Sequence, residues 1–119
     1  MSHTPTRRAA RTALDLQAVR ADLEHEFGEQ TFRRGVDYVA GKRIRILFAQ
    51  RDDEQVWHLL ASVRGTAPEP YITSVEMEFY EYGVDIIGTQ CNCPVGHQCK
   101  HAAGLAYQWA TMQPERGGT

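Results

Sequence analysis

All three cysteines of this chain fall within nine residues, in the run Cys91-Asn92-Cys93-Pro94-Val95-Gly96-His97-Gln98-Cys99-Lys100-His101. The order is C-x-C, a five-residue spacer, then C-x-H. Three thiols and an imidazole are the donors of a closed tetrahedral zinc site. Calcium and magnesium want oxygen ligands and do not suit such a set. A redox C-x-C pair leaves Cys99 and His101 without a role and lacks the C-x-x-C spacing. An iron–sulfur cluster usually takes four thiolates, and the chain has three.

The residues between the donors suit a loop wrapped round an ion. Pro94 fixes its φ and has no N–H to leave unpaired in the bend after the C-x-C pair. Gly96 can supply a positive φ where the chain turns back towards Cys99. His97 lies inside the loop and competes with His101 as the imidazole donor. Binding through His97 would form a cramped chelate with Cys99, so it is assigned a surface or supporting role. After His101, Leu105, Trp109 and Met112 recur at i, i+4, i+7, which predicts a helix with the second ligand pair in its first turn. The positive end of that helix would help hold the Cys99 thiolate.

The four donors, with Cys93-Pro94 and Cys99-Lys100-His101 around them, resemble the SWIM zinc finger, whose pattern is C-x-C, a spacer, then C-x-H. The resemblance also favours His101 over His97 as ligand. Bacterial versions often precede Swi/Snf-type helicase domains, and the F-R-R-G-x-x-Y run from Phe32 to Tyr38 is similar to that arrangement. The resemblance implies zinc binding and contacts to DNA or to proteins.

The rest of the chain predicts an α+β fold. Leu16, Val19, Leu23 and Phe27 mark a helix over 16–27, with Asp15 as N-cap and Gly28 at its end. A second helix is expected from Thr31 as N-cap, with Phe32, Val36 and Val39 as its buried stripe and Gly41 as its stop. Gly35 weakens that helix by up to ~1 kcal/mol, and the sequence does not show what would require it. From Lys42 the period becomes two. Ile44, Ile46 and Phe48 mark one strand, and Val56 to Arg64 a second across an Asp52-Asp53 turn. In the second strand Trp57, Leu59, Ala61 and Val63 share a face, which leaves His58 outward. Tyr71 to Tyr80 and Val84 to Thr89 give a third and a fourth strand. The expected architecture is two N-terminal helices on a four-stranded antiparallel meander, with a zinc knuckle leading into a C-terminal helix. Residues 14–112 form one domain in this reading, between a flexible basic N-terminus at 1–13 and a flexible tail at 113–119.

Charge narrows the function. The 119 residues carry a net charge of −2, so the chain is no polycation. Residues 1–65 have a net charge of +2, and residues 66–119, which hold the four donors, have −4. Duplex DNA demands clustered positive charge, which an acidic half does not offer. The cations gather elsewhere, at Arg33, Arg34, Lys42, Arg43 and Arg45, with Lys100 between the last two ligands. A solvated surface is the ordinary meaning of such a group, and a phosphate-contacting patch the sharper one. No apolar run approaches a membrane span, and no apolar stretch follows the N-terminal arginines as in a signal peptide. Four protein ligands leave no open metal position, and no carboxylate lies in the loop to act as a base. The expectation is therefore a cytoplasmic, non-enzymatic module with a structural Zn2+ and no small-molecule substrate. It would contact a protein partner or helicase motor domains. The alternative is a nucleic-acid-binding finger using the Arg33-to-Arg45 cluster.

Overall fold

The structure, a computed structural model, describes residues 14–114. The expectations for 1–13 and for 115–119 lie outside the described residues. Helix α1 spans Leu16–Phe27 and is capped at its start by Asp15, whose Oδ1 accepts the Ala18 amide at 3.1 Å. Its apolar positions Val19, Leu23 and Phe27 are all buried. Helix α2 spans Glu29–Ala40 and begins earlier than expected. Gly28, not Thr31, is the hinge between the two helices. Its φ of 89° is open to glycine and strained for other residues. That turn lets the Gly28 amide close α1 on the Glu24 carbonyl while its own carbonyl accepts from Phe32 in α2.

Four strands follow, β1 (Ile44–Arg51), β2 (Trp57–Val63), β3 (Tyr71–Tyr80) and β4 (Gly83–Cys91), paired antiparallel in the order β1-β2-β3-β4. Helix α3 spans Lys100–Thr111. The alternation in β2 and β3 places Leu59, Ala61, Val63, Val75 and Met77 in the core beneath the helices. Two strands break their period. Between Ile46 and Phe48 the register to β2 slips, so Leu47 is an extra residue and Phe48, expected inward, is 48% exposed. A second slip, opposite Glu76 and Met77, leaves Ile87 as the extra residue of β4. Met112, expected on the buried face of α3, is instead exposed just past the helix end. The buried face is alanine-rich, with Ala102, Ala103, Leu105, Ala106 and Ala110.

Those small residues let α3 approach α2 very closely. Gly35 and Gly104 are the contact point. A Cβ on Gly35 would lie 2.6 Å from the Gly104 amide nitrogen and 2.9 Å from the Lys100 carbonyl oxygen. A Cβ on Gly104 would lie 2.9 Å from the Gly35 carbonyl and 2.7 Å from Ile44 Cδ1. The glycine that costs α2 helix propensity is therefore the one that lets α3 dock on it. Gly35→Ala is expected to destabilise the protein by about 1–3 kcal/mol, because backbone rather than a flexible side chain occupies the space. Urea denaturation measures the loss.

On the helix-free face of the sheet, His58 sits between two carboxylates. Its Nε2 is 2.8 Å from Asp52 Oδ2 and its Nδ1 2.9 Å from Glu76 Oε2. The hydrogen bond from Asp52 raises the His58 pKa above its ordinary 6.5 against a smaller opposing effect of burial. The same bond, with the Val56 amide, lowers the Asp52 pKa from its ordinary 3.8. A raised histidine pKa stabilises fully below 6.5 and loses that contribution as pH rises through the folded value. A lowered aspartate pKa stabilises fully above 3.8 and loses its contribution as pH falls. His58→Gln should therefore cost most stability between those two pH values and progressively less on either side. Chemical denaturation of both proteins across pH, with an NMR titration of His58, measures this.

Candidate metal centre

Each half of the donor set comes from a regular element. Cys91 is the last residue of β4, where it faces Thr73 of β3 across the sheet. Cys99 is the N-cap of α3, and His101 lies in that helix's first turn. The loop between them is pinned from inside. The Cys91 amide donates to the Gly96 carbonyl at 2.7 Å, and Gly96 has a φ of 91°. The Gln98 amide donates to Thr89 Oγ1 at 2.7 Å, while the Gln98 side-chain amide donates to Glu26 Oε2 at 2.9 Å, tying the loop to α1.

These elements bring together Cys91, Cys93, Cys99 and His101. Their donor atoms all lie within 4.8 Å of one another, and all four residues are buried. The sulfurs of Cys91 and Cys99 stand 3.6 and 3.8 Å from His101 Nδ1. A regular tetrahedron with Zn–S bonds of about 2.3 Å and Zn–N bonds of about 2.0–2.1 Å has S···N edges of about 3.6 Å. The spacing thus fits four bonds to one ion better than it fits weak S–H···N contacts. The three sulfurs are free of disulfides. His97 is exposed and outside the cluster.

The electrostatics of the site suit a cation. Burial raises the Cys91 pKa. Burial, then the neighbouring Cys91 and Cys93, push Cys99 up to about 12. Burial works upward on Cys93 too, but the backbone amides of Gly96 and Val95 and the adjacent thiols outweigh it and lower its pKa. His101 is lowered, first by burial and then by the Lys100 charge. The pocket therefore favours a neutral imidazole able to coordinate, and one thiol whose pKa is lowered rather than raised. A dication is what lets the other two ionise beside it, with release of protons.

Three supports of the centre carry no signal in the cysteine motif. Thr73 is fully buried, and its hydroxyl lies 3.1 Å from Cys91 Sγ, within hydrogen-bond reach. Tyr71 stacks on the His101 ring at 4.8 Å between centroids, and Tyr38 meets the same ring edge-on at 5.1 Å. A threonine on the core face of β3, two residues from a tyrosine on the same face, was the only available hint.

The six cations singled out from the sequence are divided. Arg34 and Lys100 line one groove beside the centre. Arg43 stands 5.9 Å from the Tyr38 ring centroid and donates to the Arg64 carbonyl. Arg33 pairs with Glu29 at 2.7 Å. Lys42 is exposed in the turn before β1. Arg45 is exposed on the helix-free face, since its neighbour Ile44 packs beneath Gly104.

A buried Cys3His cluster built from a strand end, a pinned loop and a helix start defines a zinc finger with a structural Zn2+. Residues 71–110, which comprise β3, β4, the ligand loop and most of α3, match the family model of the SWIM zinc finger. None of the curated proteins or solved structures compared with the chain matches it.

Removing a ligand should remove both metal and fold. Cys99→Ser is expected to lose zinc and to unfold at least the C-terminal third, as chelation of the native protein should, since zinc binding in such loops is worth on the order of 10 kcal/mol. Metal analysis with thermal melting measures this, and an unchanged melt after zinc removal would contradict it. Thr73→Val preserves shape and should leave the fold intact, but weaken zinc retention about 10–100-fold in chelator competition.

Proposed function

We propose that this chain is a non-catalytic, zinc-stabilised module that binds a protein partner. It would serve in the cytoplasm as an accessory domain of a Swi/Snf-type helicase or of another DNA-associated complex. The observation that carries this reading is the helix-free face of the sheet. Helices α1 and α3 pack on the other face, with α2 against both of them, and Phe48, Leu60 and Ile72 stand 36–48% exposed on this one. Leu47 and Ile87, the two extra residues of the strand irregularities, are 48% and 51% exposed. Contiguous exposed apolar side chains on a folded domain mark a contact surface. Glu76 and Asp52, bridged by His58, share this face with Arg45, a mixed-charge border that suits a protein whose own apolar residues cover the patch. The metal centre supports the absence of catalysis, because its four protein donors fill a tetrahedral shell.

Tagged protein recovers its partner from native cells in this reading, and Phe48→Glu with Leu60→Glu abolishes recovery while zinc content and melting stay as in wild type. The competing nucleic-acid reading predicts instead salt-dependent binding to short DNA or RNA, lost on reversing Arg34, Arg43 and Arg45 to glutamate. No such binding at about 50 mM salt would set it aside.

No helix among the described residues is long and apolar enough to cross a membrane.

A further inference from the structure

A groove of about 350 Å3 opens beside the metal centre, lined by none of the exposed apolar residues of the sheet face. One wall is a single stripe of α2, Thr31, Arg34 and Tyr38, at the 3- and 4-residue spacing that aligns side chains on a helix. The opposite wall is the ligand loop with Pro94 and Val95, then Lys100 at the start of α3. Tyr71 and His101 form the floor, and Thr66 closes one end.

The chemistry of this lining is one-sided. Arg34 has no acceptor among the described residues, and the Lys100 ammonium has only the face of Tyr38, 5.6 Å from its centroid. The hydroxyls of Thr31, Tyr38, Thr66 and Tyr71 make no hydrogen bond to any described residue. No aspartate or glutamate lines the groove. Two cations and four hydroxyls with no partner among the described residues thus line one space that has no carboxylate of its own, a lining complementary to an anion. The groove is too short for a run of nucleotides, and its two cations are too few to drive binding by counterion release. Three thiolates, a neutral imidazole and a dication leave the centre beneath the floor with one negative charge. That charge, and the net −2 of the chain, oppose a polyanion but tolerate one or two carboxylates. Val95, 66% exposed on the rim, offers an apolar contact beside the charged pair.

We propose that this groove takes an acidic peptide segment of a partner protein, with a carboxylate seated between Arg34 and Lys100 and an adjacent aliphatic side chain on Pro94 and Val95. The assignment rests on the protein-binding reading above and gives it a second, chemically distinct contact. Arg34 and Lys100 supply charge-assisted hydrogen bonds, and the hydroxyls of Tyr38 and Tyr71 complete the carboxylate's acceptor sites.

Fluorescence anisotropy on the zinc-loaded protein tests it, with three labelled probes. These are a peptide of about eight residues alternating aspartate and leucine, the same peptide with asparagine for aspartate, and an oligothymidylate of about twelve nucleotides. The expected result is saturable binding of the aspartate peptide, about tenfold weaker for the asparagine peptide and for Arg34→Glu, a difference of about 1.4 kcal/mol. Arg33→Glu, one position along the same helix, should leave binding unchanged, and zinc content reports that each variant is folded. Equal binding of the two peptides, or none, overturns the proposal. So does oligothymidylate binding tighter than the aspartate peptide and lost in Arg34→Glu, which would assign the groove to nucleic acid. Phe48→Glu with Leu60→Glu should bind the aspartate peptide as wild type does. A failed groove therefore leaves partner capture by the sheet face standing, and a failed sheet face leaves the groove.

Discussion

Three buried sulfurs within 4.8 Å of one another and of a buried imidazole gain little as a set of separate groups. If all three ionise they repel, and burial opposes each charge; if all stay protonated, the site contributes little beyond packing. A dication changes both terms at once, and the fold around it follows from that. Cys91 ends a strand and Cys99 begins a helix, so the ion joins the sheet to α3 at the point where the chain leaves one for the other. The ligands are also core residues, since the buried cluster that includes Leu59, Val75 and Leu105 includes all three cysteines. Metal binding at these residues would therefore couple directly to core formation.

The second constraint is the approach of α3 to α2. Helices that meet backbone to backbone need glycine or alanine at the crossing, and this pair uses Gly35, Gly104 and Ala103. The crossing also places Tyr38, three residues beyond Gly35, against the ring of His101. A ligand in the first turn of α3 is thus oriented by a residue on α2, and the orientation depends on the absence of a side chain at Gly35. Metal centre and helix packing reinforce each other through one glycine.

Much of this was legible in the sequence because it depends on local pattern. The donor set, the capped start of α1, the two-residue period of β2 and β3 and the order of the meander all follow from spacing along the chain. What escaped depends on partners distant in sequence. Gly35 reads only as a weak point of a helix until Gly104 is placed against it. Thr73 is one more β-branched residue until Cys91 lies opposite. Phe48 continues an alternation that the extra residue Leu47 reverses, and nothing in the residue types announces a bulge. Thr31 looks like a good cap, but Gly28 turns the chain so tightly that α2 has already begun.

The cations show the same limit in a form that bears on function. Five of them within thirteen residues suggest a patch as the alternative to an ordinary solvated surface, because sequence proximity stands in for spatial proximity. The fold separates them by the geometry of the elements that carry them. Adjacent residues on a helix point about 100° apart, so Arg33 turns to Glu29 while Arg34 turns to the groove. Residues flanking a strand position alternate between faces, which sends Arg45 to the helix-free side. Lys100, more than fifty residues away in sequence, joins Arg34 because Cys99 and His101 fix the start of α3 on the metal. The ligand cluster therefore bears on more than stability: the first turn of the helix that carries Cys99 and His101 also brings Lys100 to the surface that Arg34 lines.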